Sequence, residues 1–240
     1  MMTGPQFPPL TPLALDFQST VFVLLVAVIL PVGAVRTKSI IAFGRPGRRP
    51  PRKSDVLTRA LLVQTLLFAL SFVVARSHRM ALWPWTGLRV ANLTIAVAAL
   101  AILLGVGGLS WHLRTPDERR NLWMRHLLPR TRGQWALWFA VSVAAGIAEE
   151  TAYRGVLVVL LASLTASFVL AVILSAAAFA IVHYPQGAKS MGWVFAIGLV
   201  MQGVVLVTGT LYVAMGVHAV YDVTAAIRAV ARIEAQEGDS

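Results

Sequence analysis

A chain of 240 residues that is 58% apolar and only 13% charged is not an ordinary soluble domain, for which an apolar share of about 45–50% is usual. It has no cysteine, which excludes disulfides, thiolate metal ligands and a cysteine nucleophile. A net charge of +11 on a soluble protein would suggest nucleic acid, but here the basic residues gather in loops beside apolar runs, where topology and anionic headgroups require them, so no nucleic-acid partner is expected.

Residues 1–18 are Pro-rich and carry no Lys or Arg, which reads as a short irregular tail without the basic start of a signal peptide. Residues 19–35 form the first apolar span, with Pro31 near its end. The segment 36–53 holds Arg36, Lys38, Arg45, Arg48, Arg49, Arg52 and Lys53, a basic loop that the positive-inside rule places in the cytoplasm. Residues 56–75 are the second span. Residues 76–89 are a turn whose Trp83 and Trp85 suit a membrane interface. Residues 90–109 are the third.

Thr115-Pro116-Asp117-Glu118 is a capping box with Pro at the first helical position. It starts a helix that runs to about Leu128, mixes Leu122, Trp123 and Leu127 with Arg119, Arg120 and Arg125, and is expected to lie in the headgroup plane. Four further apolar segments follow at 135–161, 166–182, 192–207 and 211–230. Thr208-Gly209-Thr210 separates the last two.

The expectation is an all-α polytopic transmembrane bundle of about seven spans, or eight if the fourth segment is split, plus an interfacial helix. It forms one membrane domain over residues 1–240, with N-terminal spans and interfacial helix over 19–132 and a C-terminal core over 133–232. With seven spans and the N-terminus outside, most basic residues fall inside, as in a multi-pass protein of the plasma (inner) membrane.

Three clusters of ionisable residues interrupt the apolar segments: Glu149, Glu150 and Arg154; His183; and His218 with Asp222. A charge at the centre of a bilayer costs roughly 2.5 kcal/mol or more, so such residues are functional candidates by default. Glu150 and Arg154 are four apart and share a helical face, which makes them an ion pair. Glu149 points about 100° away from Glu150 and has no such partner, so it is the carboxylate left for chemistry. His218 and Asp222 are also four apart, a spacing at which the carboxylate can orient the imidazole. Phe179 lies one turn before His183 on the same face. Gln64, Asn92, Ser142 and Gln202, also within spans, read as packing or interhelical hydrogen-bonding residues.

One carboxylate and two imidazoles suit a hydrolytic water, with the carboxylate as base and the imidazoles positioning the water and stabilising an oxyanion. The same set, Glu149, His183 and His218, is also a hydrolytic zinc ligand set, although no His-Glu-x-x-His helix is present. Both readings stand at this point, with no cofactor or with zinc.

These clusters resemble the CAAX protease and bacteriocin-processing (CPBP, Abi) family of intramembrane proteases. Its pattern is Glu-Glu-x-x-x-Arg, then Phe-x-x-x-His, then His-x-x-x-Asn or a related residue. Here it reads Glu149-Glu150-Thr151-Ala152-Tyr153-Arg154, Phe179-Ala180-Ile181-Val182-His183 and His218-Ala219-Val220-Tyr221-Asp222, within roughly residues 135–231. The resemblance implies an intramembrane endopeptidase acting on a hydrophobic or lipidated protein or peptide, with the bilayer as its other partner. It implies that Glu149 and His183 activate water, that His218 and the residue at Asp222 stabilise the oxyanion, and that Glu150 and Arg154 brace the site. Asp222 stands where eukaryotic prenyl proteases look to have Asn, and an ionised carboxylate does not donate to an oxyanion. A non-catalytic scaffold or bacteriocin-immunity protein is the alternative function, and a proton-coupled transporter is a third.

Overall fold

The computed structural model describes residues 15–40, 51–82, 89–115, 118 and 127–238. Most of the N-terminal tail, the centre of the first basic loop, Trp83 and Trp85, and nearly all of the expected interfacial helix lie outside these residues.

Asp16 caps the first helix, its side chain accepting from Ser19 N at 2.8 Å. Helix α1 (Phe17–Leu24) continues through a π-helical stretch (Leu25–Ile29) into α2 (Leu30–Ile40). The wide turns have a cause. Pro31 offers no N–H, and its ring clashes with the carbonyl four residues earlier, at Ala27. Wider turns before it absorb that clash. Helices α3 (Lys53–Ser77) and α4 (Val90–His112) follow.

The fourth apolar segment is one continuous rod with an altered middle. Helix α5 (Arg132–Glu149) passes into π-helical turns (Glu150–Leu157) and then into α6 (Val158–Thr165). Helix α7 (Phe168–Val182) leads through a short 3-10 turn to α8 (Ala188–Thr208) and α9 (Leu211–Gly238). Gly209 ends α8 in the left-handed conformation, φ 68°, that glycine adopts without steric cost.

Every described element is helical. Among the described residues, five helices are long and apolar enough to cross a membrane, and α7 is a shorter apolar one. The outer faces carry exposed Leu66, Val97, Val169 and Val207, the surface that a lipid solvent favours. The chain is a helical, multi-pass membrane protein.

The α5–α6 rod is central. Helix α3 packs along one side of α5 and α9 along another, while α7 lies against α6. The largest apolar cluster surrounds the π turns and includes Phe22, Val26, Val74, Val156, Leu157 and Leu160. A second cluster, with Leu103, Met201, Ala214 and Val217, joins α4, α8 and α9. Gly146 lets α5 and α9 meet backbone to backbone, because a β-carbon there would stand 2.7 Å from the Met215 carbonyl oxygen and 3.2 Å from Ala219 N. That approach carries His218, one turn beyond Met215, to the carboxylates at the end of α5.

Candidate active site

The two adjacent carboxylates lie where α5 gives way to π turns. All eight residues Glu150–Leu157 are buried. Displaced backbone carbonyls around these turns take hydroxyl donors: Thr151 Oγ1 donates to Ile147 O and Ser175 Oγ to Tyr153 O, each at 2.7 Å. Such π-helical turns recur at functional sites because they re-aim side chains within a helix.

Glu150 is wholly buried and lies 3.3 Å from Arg154 Nη1, the pair that their spacing suggested. Its Oε1 is also 2.7 Å from His218 Nδ1. The shorter contact is not with the residue one turn along the helix: Asp222 Oδ2 pairs with the other ring nitrogen, Nε2, at 3.7 Å. The reason is tertiary. Helix α9 turns the ring toward α5, so Nδ1 meets a carboxylate already fixed by a guanidinium. Asp222, one turn along the same helix, reaches only the far edge.

Glu149 uses its two oxygens differently. Oε1 accepts from Gln64 Nε2 at 2.6 Å across the α3–α5 interface. Oε2 faces His218 Nε2 at 3.7 Å. Nε2 of His218 is thus presented to a gap between Glu149 and Asp222, at the same distance from each. Gln64 is an interhelical hydrogen-bonding residue, as expected, but its partner is the candidate base.

His183 ends α7 and donates Nδ1–H to Phe179 O at 2.8 Å, which leaves Nε2 as an acceptor. Phe179 is the hub of the site. Its ring centroid is 4.7 Å from that of His183, 6.4 Å from that of His218 and 5.0 Å from that of Tyr153. The Arg154 guanidinium carbon sits 4.2 Å from the same centroid, a cation–π contact in a buried setting. One aromatic ring therefore spaces both imidazoles and the structural arginine.

A cavity of about 390 Å³ is lined by Glu149, Arg154, Phe179, His183, His218 and Asp222, and also by Trp111, Arg114, Glu118, Arg228 and Arg232. Arg114 donates to Ser190 Oγ at 2.6 Å, and the Arg232 guanidinium carbon lies 5.0 Å from the Trp111 ring centroid. The Thr115–Glu118 capping box is formed: Thr115 N donates to Glu118 Oε2 at 2.8 Å, and Glu118 N to Thr115 Oγ1 at 3.3 Å. Lys189 Nζ donates to the same Glu118 oxygen at 2.9 Å. That hydrogen bond, helped by the Thr115 N–H, holds the Glu118 carboxyl below its ordinary range.

The zinc reading needs Glu149, His183 and His218 to surround one point. Among the described residues, no group of three or more His, Cys, Asp or Glu side chains is arranged to hold a metal ion. His183 and His218 each direct Nδ1 at an oxygen, which leaves Nε2 as the nitrogen of each ring open to a ligand or a water.

A buried carboxylate–imidazole cluster opening on a cavity within an apolar bundle defines a polytopic membrane protein with a polar centre. Residues 131–224 match the family model described as Rce1-like, type II CAAX prenyl endopeptidase. No curated protein and no solved structure matches the chain. The matched stretch contains all three ionisable clusters and leaves out helices α1 to α4.

Proposed function

We propose that the protein is an intramembrane endopeptidase in which Glu149 activates a water for attack on a peptide carbonyl. The observation that carries this reading is the pairing of Glu149 Oε2 with His218 Nε2, 3.7 Å apart, in a cavity that His183 also lines. Neither group is locked to the other by a hydrogen bond, so both can turn toward an atom held in the cavity.

In this reading His183 Nε2 accepts a hydrogen bond from the water and aims it. Glu149 takes the water's proton as its oxygen bonds to the carbonyl carbon. The oxyanion that forms receives the Nε2–H of His218. With Nδ1–H given to Glu150, His218 donates from Nε2 as the imidazolium, the charge state this role requires. When the C–N bond breaks, Glu149 returns its proton to the leaving amine. Asp222 faces the same ring edge and acts as a counter-charge to His218. Glu150 and Arg154 fix the imidazole. The description of the matched family model, a prenyl endopeptidase, supports a hydrophobic or prenylated protein or peptide as the substrate class.

The test is cleavage of an internally quenched prenylated CAAX peptide by the purified protein in liposomes. Wild type is expected to cleave it, and Glu149→Gln to lose roughly 10²–10⁴-fold in kcat. Full activity in folded Glu149→Gln overturns the mechanism. Absence of cleavage by the wild type favours a non-catalytic scaffold.

A further inference from the structure

We infer that Gln64 is a positioning residue for Glu149, so that helix α3, outside the family-matched segment, completes the active site. The inference rests on the reading of Glu149 as general base. Gln64 is the sole amide in an apolar stretch of α3, flanked by Leu61, Leu62, Val63, Leu66 and Leu67. An amide in such a place costs free energy unless it is hydrogen-bonded. Its Nε2 donates to Glu149 Oε1 at 2.6 Å, a bond that the charge of a carboxylate acceptor strengthens. A carboxylate only accepts, so the NH2 edge of the amide must be the one that faces it. The other edge, Oε1, is buried without a hydrogen-bond partner among the described residues. The donation to Glu149 is therefore the polar contact that fixes this side chain.

The consequence for the carboxyl group is directional. A donor on Oε1 stops the group from rotating about its terminal bond. It leaves Oε2 toward His218 Nε2, on the cavity side. One oxygen is anchored and the other is presented. Neither Glu149's own helix nor the adjacent Arg154 supplies that asymmetry, since Arg154 is engaged with Glu150.

The experiment is steady-state kinetics of the full-length protein in liposomes with the quenched prenylated CAAX peptide, together with thermal unfolding. Gln64→Met keeps the length and removes the donor; Gln64→Asn keeps the amide and withdraws it by one methylene. In both variants kcat is expected to fall about 10–100-fold, with KM within about twofold of wild type. The melting temperature of Gln64→Met is expected not to fall, because an apolar side chain replaces a buried amide. Unchanged kcat in both variants overturns the inference. So does a lowered melting temperature with kcat per folded molecule retained, which would make Gln64 an interhelical pin only. Glu149→Gln in the same assay separates the two levels. If it is inactive while the Gln64 variants keep their kcat, only the positioning role fails. If it is fully active, the general base fails and the positioning role with it.

Discussion

Gly146 lies so close to Met215 that a single added β-carbon would stand 2.7 Å from the Met215 carbonyl oxygen. The obstacle is backbone, which does not step aside as a side chain tip would. Gly146→Ala is therefore expected to push α9 from α5 and cost about 1–3 kcal/mol. It should also weaken activity, since His218 rides on α9. Gly105, with nothing within 4 Å of its added β-carbon, is the control: Gly105→Ala is expected to be neutral or to stabilise α4 by up to about 1 kcal/mol. Thermal unfolding of the two variants in one detergent decides this. Equal melting temperatures would refute the close-contact account.

The buried pair of Glu150 and Arg154 yields a sharper stability prediction. Arg154→Met leaves the fully buried Glu150 without its cation and is expected to destabilise by about 3–5 kcal/mol. The double variant Glu150→Met, Arg154→Met removes both charges and is expected to be more stable than Arg154→Met alone. It should nevertheless be inactive, because His218 loses the acceptor on Nδ1. A double-mutant cycle of unfolding temperatures, paired with peptide cleavage, measures both. Strictly additive destabilisation would contradict the pair.

At Glu118, which lines the same cavity, pH is the lever. Hydrogen bonds from Lys189 and Thr115 hold the Glu118 carboxyl below its ordinary value of 4.5. A carboxyl depressed in the folded state contributes stability above its unfolded value and loses it as pH falls through the folded one. The contact of Leu113 and Glu118 with Lys189 at the start of α8 should therefore persist at pH 5–7 and release only below the ordinary carboxylate range. Amide hydrogen exchange at Leu113 and Arg114, followed against pH, is expected to rise at that point. Glu118→Gln should flatten the profile, and an identical pH response in that variant would sink the assignment.

The glutamate mechanism also predicts the response to chelators. With no group of three or more His, Cys, Asp or Glu side chains placed to hold a metal ion among the described residues, cleavage is expected to survive EDTA and phenanthroline, with less than stoichiometric zinc in the purified protein. Stoichiometric zinc, together with loss of activity on its removal, would replace the glutamate mechanism by a metal one.

What was legible in the sequence was what local spacing encodes. The apolar runs mark the helices. The Glu150–Arg154 pair is an i, i+4 relation, and the Thr115–Glu118 cap is an i, i+3 one, and both are formed. The Phe179–His183 stack is also one turn long. The contacts that cross between helices were not legible. His218 has a carboxylate four residues away, yet its Nδ1 goes to Glu150, 68 residues distant, because the Gly146 contact brings the two helices together. Gln64 is 85 residues from Glu149, and a lone amide in an apolar helix names no partner. The one available signal was its isolation. Pro31 foreshadowed the widened turns before it, whereas the turns from Glu150 onward contain no proline and gave no comparable warning.

Those widened turns make the chain unusually sensitive to its own residue count. Removing one residue from 150–157 would let the rod relax toward ordinary α-helical turns, with each residue worth about 100° of rotation. Everything from Val158 onward would then face a new direction relative to Glu149. Tyr153 O would lose its alignment with the Ser175 hydroxyl, and Gly155 its fit against Leu211. A one-codon deletion here would spare every named site side chain outside the deleted position and still dismantle the arrangement. The length of this stretch is thus as much a part of the site as the residues in it.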